Sequence, residues 1–263
     1  MRGYFALMRG SLTIGLVYRF GFLFTVFSNI VYMSVAYFLW RSIYQNTTTI
    51  HGMSFNETFI YVALGSAVFV LLKTFADWQI AREIEDGSIA IYLTKPVDYQ
   101  LYVLSFSLGG MLTNLAAITV PVLLLLTLVF KVTFSFGPGL LLFPVSLLLA
   151  FLISYFFDYI TGLCAFYAES AWGMSVTKEV LISVLAGALL PLQFFPEAIQ
   201  KVLLVLPFQA IYYTPLMMVT RPNQDIGALF SMLGVQAVWV VILFVLTRLF
   251  YNHAIKVLRV AGG

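Results

Sequence analysis

The residues most able to do chemistry belong to one charged stretch, Asp77 to Asp98. Its first part, Trp78 to Asp86, has helical spacing, with Ile80 and Ile84 on one face. Gly87 follows, and glycine at that position predicts the end of a helix. A short charged helix of this kind can dock a partner protein. The alternative is a solvated connecting loop, which is the usual role of a run of charges.

The sequence lacks the motifs that most catalytic sites need. No G-x-x-x-x-G-K-[ST] loop is present to bind nucleotide phosphates. His51, His253 and Cys164 are isolated from one another, so neither a metal-ligand set nor a Ser-His-Asp triad is expected. We therefore expect this chain to have no catalytic residue, no cofactor and no metal of its own.

The composition indicates which class of protein carries this charged stretch. Hydrophobic residues make up 62% of the 263 residues, charged residues 10%, and the mean hydropathy is +0.98. A water-soluble chain of this size buries only about three quarters of its unfolded surface. The composition therefore predicts an integral membrane protein with little soluble mass and no nucleic-acid partner.

Apolar runs of about 20 residues predict helices that cross a bilayer. We predict a single all-α domain, residues 1–263, with six membrane-spanning helices. The spans are Phe20–Trp40, Thr58–Leu72, Tyr99–Phe130, Val132–Phe157, Trp172–Phe195 and Ile226–Thr247.

Two further segments are apolar but are not predicted to span. Residues 1–18 carry arginines on one helical face and predict an interfacial helix, with a simple extension of the first span as the alternative. Residues 196–222 contain four prolines and predict a re-entrant or interface-lying helical hairpin on the outer side, between the fifth and sixth spans.

Orientation follows from the lysines and arginines of the short loops. With six spans and a cytoplasmic N-terminus, ten of the 14 Lys and Arg residues fall inside and four outside. This bias predicts that both termini are cytoplasmic.

Three ionisable residues near the cytoplasmic ends of the fourth and fifth spans are candidates for an intramembrane ion pair: Asp158, Glu169 and Lys178. A carboxylate–ammonium pair there would fix the helix hairpin. The alternative, a proton relay, needs further ionisable groups across the bilayer. The first, third and sixth predicted spans have none, which argues against a proton-driven transporter.

The first span is rich in aromatic residues, most of which should face lipid or pack between helices. Phe24, Phe27 and Tyr32 are candidates for lining a substrate path. A weakly polar, aromatic interior favours a hydrophobic drug, a lipid or a peptide over a free polyanion.

Two stretches give the chain a resemblance to a known family. The first runs from Glu83-Ile84-Glu85-Asp86-Gly87-Ser88-Ile89 to Thr94-Lys95-Pro96-Val97 and looks like a coupling region after the second span. The second comprises residues 165–171, 187–196 and Leu206-Pro207-Phe208. In this order the chain resembles the permease subunit of type-2 ATP-binding-cassette (ABC) exporters, in a bacterial branch with paired permeases and a separate ATPase.

The resemblance implies a transport subunit in the bacterial cytoplasmic membrane that is not itself an enzyme. It implies two copies of an ABC ATPase, which bind ATP and Mg²⁺, and a second permease, identical or a paralogue. Residues 78–90 would form the coupling helix. The residues implied in ATPase docking are Trp78, Arg82, Glu83, Ile84, Glu85, Asp86 and Gly87.

The expected function is export of an amphipathic or hydrophobic substrate, such as a drug, a lipid, a glycolipid or a peptide. Two alternatives stay open on the sequence. One is an uptake component of an ABC complex, and the other is an ATP-independent channel or lipid scramblase.

Overall fold

The computed structural model describes residues 2–15, 19–168 and 171–257, and most of them are helical. The α-helices are α1 (Arg2–Gly15), α2 (Arg19–Ile43), α3 (Phe55–Leu72), α4 (Ala76–Glu85), α5 (Ile89–Leu93), α6 (Tyr99–Asn114), α7 (Val120–Leu128), α8 (Pro138–Leu163), α9 (Trp172–Leu185), α10 (Glu197–Leu203), α11 (Tyr213–Thr220) and α12 (Ile226–Ala254).

Short segments of other types join these helices. A π-helical turn, Leu115–Thr119, makes α6 and α7 one continuous rod. Two short strands, β1 (Thr49–Ile50) and β2 (Met53–Ser54), pair antiparallel ahead of α3. Four 3₁₀ turns complete the described structure: Cys164–Phe166, Leu192–Phe194, Pro207–Ala210 and Ile255–Val257.

Five helical stretches of the described chain are long and apolar enough to cross a membrane. They are Phe20–Ile43, Phe55–Glu85, Tyr99–Leu128, Pro138–Phe166 and Ile226–Ala254. The predicted all-α, multi-pass membrane fold is confirmed.

The predicted fifth span, Trp172–Phe195, is not one continuous helix. α9 ends at Leu185, and Gly187 takes a left-handed conformation with φ of 75°. The amide of Ala188 donates to the Ser183 carbonyl at 3.1 Å, and that of Gly187 donates to the Val184 carbonyl at 3.3 Å. This pair of bonds is a Schellman motif, which ends the helix after 14 residues.

The fourth span also differs from its prediction. α8 begins at Pro138, later than the predicted Val132, because proline is favoured at the first position of a helix and the segment before it is not helical. It continues to Leu163, so Asp158 lies inside the helix and not at its end.

α3 lies at the centre of the molecule and packs against α2, α7 and α11. Its start is fixed by a capping box, in which Ser54 and Glu57 each bond the other's backbone amide. α8 packs against α12, α4 and α11 and forms the second half of the core.

The segment predicted as a hairpin, residues 196–222, contains α10 and α11. Tyr212, just before α11, stacks on Phe69 of α3, with ring centroids 6.1 Å apart. Arg221, just after α11, donates to Glu57 Oε1 at 2.9 Å. α11 therefore runs antiparallel to α3 and lies beside it, not above its end.

α1 packs along the whole length of α6. The Ser11 hydroxyl donates to the Phe106 carbonyl at 2.8 Å, and the Tyr4 hydroxyl accepts from the Asp98 amide at 3.0 Å. A Cβ on Gly109 would lie 2.4 Å from the Met8 carbonyl oxygen, so the two helices approach closely through small residues. The position of α1 relative to the lipid headgroups stays a prediction.

Candidate functional site

α4 presents a charged surface at the base of the helix bundle. This surface, which we call the α4 outer face, consists of the exposed residues Trp78, Arg82, Glu85, Asp86 and Gly87. The opposite side of α4 is buried, with Ile80 fully enclosed. Ile84 is half-buried at the edge. One side of the helix is therefore packed against the bundle and the other is exposed, as docking of a partner would require.

Glu83 does not belong to the α4 outer face, although it is one of the seven docking candidates. It is only 8% exposed and accepts a hydrogen bond from the Tyr99 hydroxyl at 2.6 Å. Gln79 Nε2 donates to its other oxygen at 2.9 Å. Glu83 lies three residues after Ile80, on the same helical face, so it points into the bundle and joins α4 to α6.

Asp86 and Gly87 form the end of the α4 outer face. Gly87 has φ of 75°, a conformation that favours glycine and ends the helix. Hydrogen bonding by Ser88, through its side chain and its amide, lowers the pKa of the Asp86 carboxyl below its usual range. Asp86 therefore contributes a negative charge to the α4 outer face at neutral pH.

A break at residues 73–75 separates α3 from α4. Phe75 has φ of 55°, which is uncommon for a bulky residue. Two carbonyls that α3 leaves free at its end are bonded by neighbouring helices. Asn114 Nδ2 donates to the Val70 carbonyl at 3.0 Å, and the Ser154 hydroxyl donates to the Leu72 carbonyl at 3.2 Å. α4 is thus a separate helix, and the end of α3 that precedes it is held by α6 and α8.

Behind this break, Lys178 of α9 joins three helices. Its ammonium lies 2.7 Å from Asp77 Oδ2 at the start of α4 and also contacts Asp158 Oδ1 of α8. The Thr74 hydroxyl donates to the other oxygen of Asp158. All three charged side chains are largely buried, so the ammonium compensates two carboxylates at once. We call Asp77, Asp158 and Lys178 the junction triad.

The structure thus brings together two of the three predicted intramembrane ionisable residues, Asp158 and Lys178. The third, Glu169, lies outside the described residues. Sequence reasoning missed Asp77, which it placed in a cytoplasmic loop. Asp77 lies in the first turn of α4, where a carboxylate is favoured, and this position was the one indication in the sequence. The sequence does not show which way the side chain points.

A second, more exposed ion pair lies one residue along α9. Lys73 at the end of α3 is 2.8 Å from Glu179 Oε1, and each side chain is about one third exposed, at 34% and 38%. Successive residues of α9 therefore bind α4 and α8 on one side and α3 on the other.

A cavity of about 610 Å³ opens between α2, α3 and α9, and we call it the lateral cavity. It is lined by Ser28, Asn29, Tyr32, Gly65, Ser66, Phe69, Val70, Val176, Glu179, Val180, Ser183, Ala188 and Leu189. Of the predicted path residues, Tyr32 lines this cavity. Phe24 and Phe27 lie on the exposed surface of α2 and are not among its lining residues.

α9 contacts both α4 and the lateral cavity. Lys178 holds Asp77 of α4, while Glu179 and three other residues of α9 form one wall of the lateral cavity. Through these contacts α9 joins α4 to one wall of the lateral cavity.

Comparison with known proteins identifies the family to which the chain belongs. The model of one family, described as ABC-2 family transporter protein, matches residues 30–262. The match includes the break before α4, the junction triad and every lining residue of the lateral cavity except Ser28 and Asn29. No curated protein matches the chain. The chain belongs to the ABC-2 transporter family, as the multi-pass membrane permease of an ABC transporter whose partner is an ABC ATPase.

Proposed function

We propose that this permease exports an amphipathic or hydrophobic substrate, driven by ATP hydrolysis on separate ATPase subunits. The observation that carries the proposal is the double role of α9, which holds the docking helix through Lys178 and walls the lateral cavity with Glu179. ATP and Mg²⁺ would be bound by the ATPase, and this chain would contribute no catalytic group.

The complex we propose has two permeases and two ATPases. The second permease is a copy of this chain or a paralogue. α2, α3 and α9 are the candidates for the seam, because the lateral cavity opens between them. Exposed apolar side chains cover much of α2 and α9 and would be buried there. Both termini would lie in the cytoplasm, and the membrane would be the bacterial cytoplasmic membrane.

The docking step is tested by reversing the charges of the α4 outer face. The double variant Glu85→Lys, Asp86→Lys should reduce the amount of cognate ATPase that co-purifies with the permease by about tenfold. The reason is that its lysines would face a partner surface that we propose to be basic, and like charges repel. The measurement is the ATPase-to-permease ratio after affinity purification from detergent-solubilised membranes.

The matched control is Glu197→Lys, which reverses an exposed carboxylate on α10. It should leave the ratio unchanged. If the double variant retains as much ATPase as the control, the docking assignment is wrong.

Direction is tested in membrane vesicles that contain the permease and its ATPase, with the dye Hoechst 33342 as an amphipathic probe. ATP-dependent accumulation in inverted vesicles supports export. ATP-dependent accumulation in right-side-out vesicles would indicate uptake instead. Dye movement through proteoliposomes with the permease alone and no nucleotide would indicate a channel or scramblase.

A further inference from the structure

The serines of the lateral cavity have a common hydrogen-bonding state. Ser28, Ser66 and Ser183 each donate their hydroxyl hydrogen to a backbone carbonyl of their own helix, at 2.8–2.9 Å. Asn29 donates an amide hydrogen to the Thr25 carbonyl at 2.9 Å. A serine hydroxyl has one hydrogen and two lone pairs, so the three serines keep acceptor sites and have no hydrogen left for a ligand, whereas Asn29 keeps a second amide hydrogen.

The charged group that lines this cavity is a carboxylate. Among the lining residues, Glu179 is the one charged side chain. Its Oε1 is bonded to Lys73, whereas its Oε2 accepts no hydrogen bond within the residues that the structure describes. Lys73 is not among the lining residues of this cavity. It lines a separate cavity of about 40 Å³ that the junction triad also lines.

The rest of the wall is apolar. Phe69, Val176, Val180 and Leu189 form most of it, together with the ring of Tyr32. A volume of about 610 Å³ is within the range of pockets that hold drug-sized molecules. An elongated apolar body can therefore lie along the wall while a polar group with hydrogens to donate meets the acceptors.

We propose that the lateral cavity binds a cationic amphiphile: a molecule with a protonated amine at Glu179 Oε2 and an alkyl or aromatic body against the apolar wall. An ammonium supplies a positive charge for the Glu179 carboxylate and three hydrogen-bond donors for that carboxylate and the serine acceptors. This inference rests on the proposed function, because the same cavity is the proposed substrate path.

The test uses two fluorescent probes that differ in one group. N-dansyl-1,12-diaminododecane carries a free ammonium, and its N-acetyl derivative is neutral. Binding is measured by dansyl fluorescence with the permease–ATPase complex in phosphatidylcholine nanodiscs without nucleotide, after subtracting the signal of empty nanodiscs. The ammonium probe should bind about tenfold more tightly than the neutral one, as expected for a charge-assisted hydrogen bond at a partly exposed site.

Three variants identify the group responsible. Glu179→Gln should weaken the ammonium probe about tenfold and leave the neutral probe unchanged. Lys73→Met removes the competing cation and should bind the ammonium probe at least as tightly as the natural chain. Glu197→Gln removes a carboxylate outside the cavity and should change neither probe.

The outcomes separate this inference from the proposed function. Equal affinity for the two probes, or equal weakening by Glu179→Gln and Lys73→Met, would overturn the preference for cations, because the second result would assign the effect to loss of the ion pair. Binding of neither probe would overturn it as well. None of these results depends on ATPase docking, which the charge reversal on α4 tests by itself.

Discussion

Replacing Lys178 with methionine is expected to destabilise the permease by about 3–5 kcal/mol, the cost of leaving buried charges without a partner. Methionine retains most of the volume of the lysine but removes its ammonium, so Asp77 and Asp158 would face each other with no cation between them. Both carboxylates are at least nine-tenths buried, at 4% and 10% exposure of their side chains. Equilibrium unfolding in mixed detergent–SDS micelles, followed by tryptophan fluorescence, measures the effect.

The chain offers a matched control for this substitution. Lys73→Met also removes the lysine of an ion pair, but the pair with Glu179 is about one third exposed, so a loss under about 1 kcal/mol is expected. Adding Asp77→Asn to Lys178→Met should recover part of the stability, because it removes one of the two uncompensated charges. Equal losses for the two single lysine variants would refute the role of the junction triad.

Composition and the spacing of apolar runs were sufficient to predict the membrane class and most helices. The segment Trp78–Asp86 overlaps α4, and the predicted glycine stop coincides with Gly87 and its positive φ. These features are local: they depend on propensity, caps and length within one segment. The family resemblance was likewise carried by two local stretches.

Which side of a membrane helix is buried could not be predicted in the same way. The most apolar 18-residue windows of Phe55–Glu85 and Ile226–Ala254 have similar hydropathies, 2.0 and 2.5, but 67% of the first window is buried and only 17% of the second. In lipid, apolar residues face both the protein and its solvent, so hydrophobic periodicity does not separate the two sides. Glu83 is a different case, because its register with Ile80 places it on the buried face of α4 and only its charge made it a docking candidate.

The end of α9 could not be predicted from the sequence for a different reason. The run from Trp172 to Phe195 is long enough to span, and Gly187 lies within it. Glycine is more frequent in membrane helices than in soluble ones, so by itself it does not mark a stop. The Schellman bonds of Gly187 and Ala188 are supported by tertiary contacts: the Tyr61 hydroxyl donates to the Gly187 carbonyl at 2.7 Å. That contact joins residues 126 positions apart and has no signature in the local sequence.

Gly162→Val should detach α4 from its seat on α8. A Cβ at Gly162 would lie 2.8 Å from the Ile80 Cβ and 3.0 Å from the Asp77 Cα. The second of these atoms belongs to the backbone of α4, so the helix itself must move. We expect a loss of stability of about 1–3 kcal/mol from overpacking. We also expect a fall in ATPase co-purification at least as large as that of the charge reversal, because displacement alters the whole α4 outer face and pulls Asp77 away from Lys178.

Two further variants make the result specific. Gly162→Ala adds the clashing Cβ alone and should give an intermediate effect on both unfolding and ATPase retention. Gly173→Val changes a glycine of α9 whose added Cβ would meet nothing within 4 Å, and it should change neither. The result that would contradict this is normal ATPase binding by Gly162→Val together with a loss of binding by Gly173→Val. In that case α4 is not the element that the ATPase binds, because the backbone contact at Gly162 positions α4 and no other docking candidate.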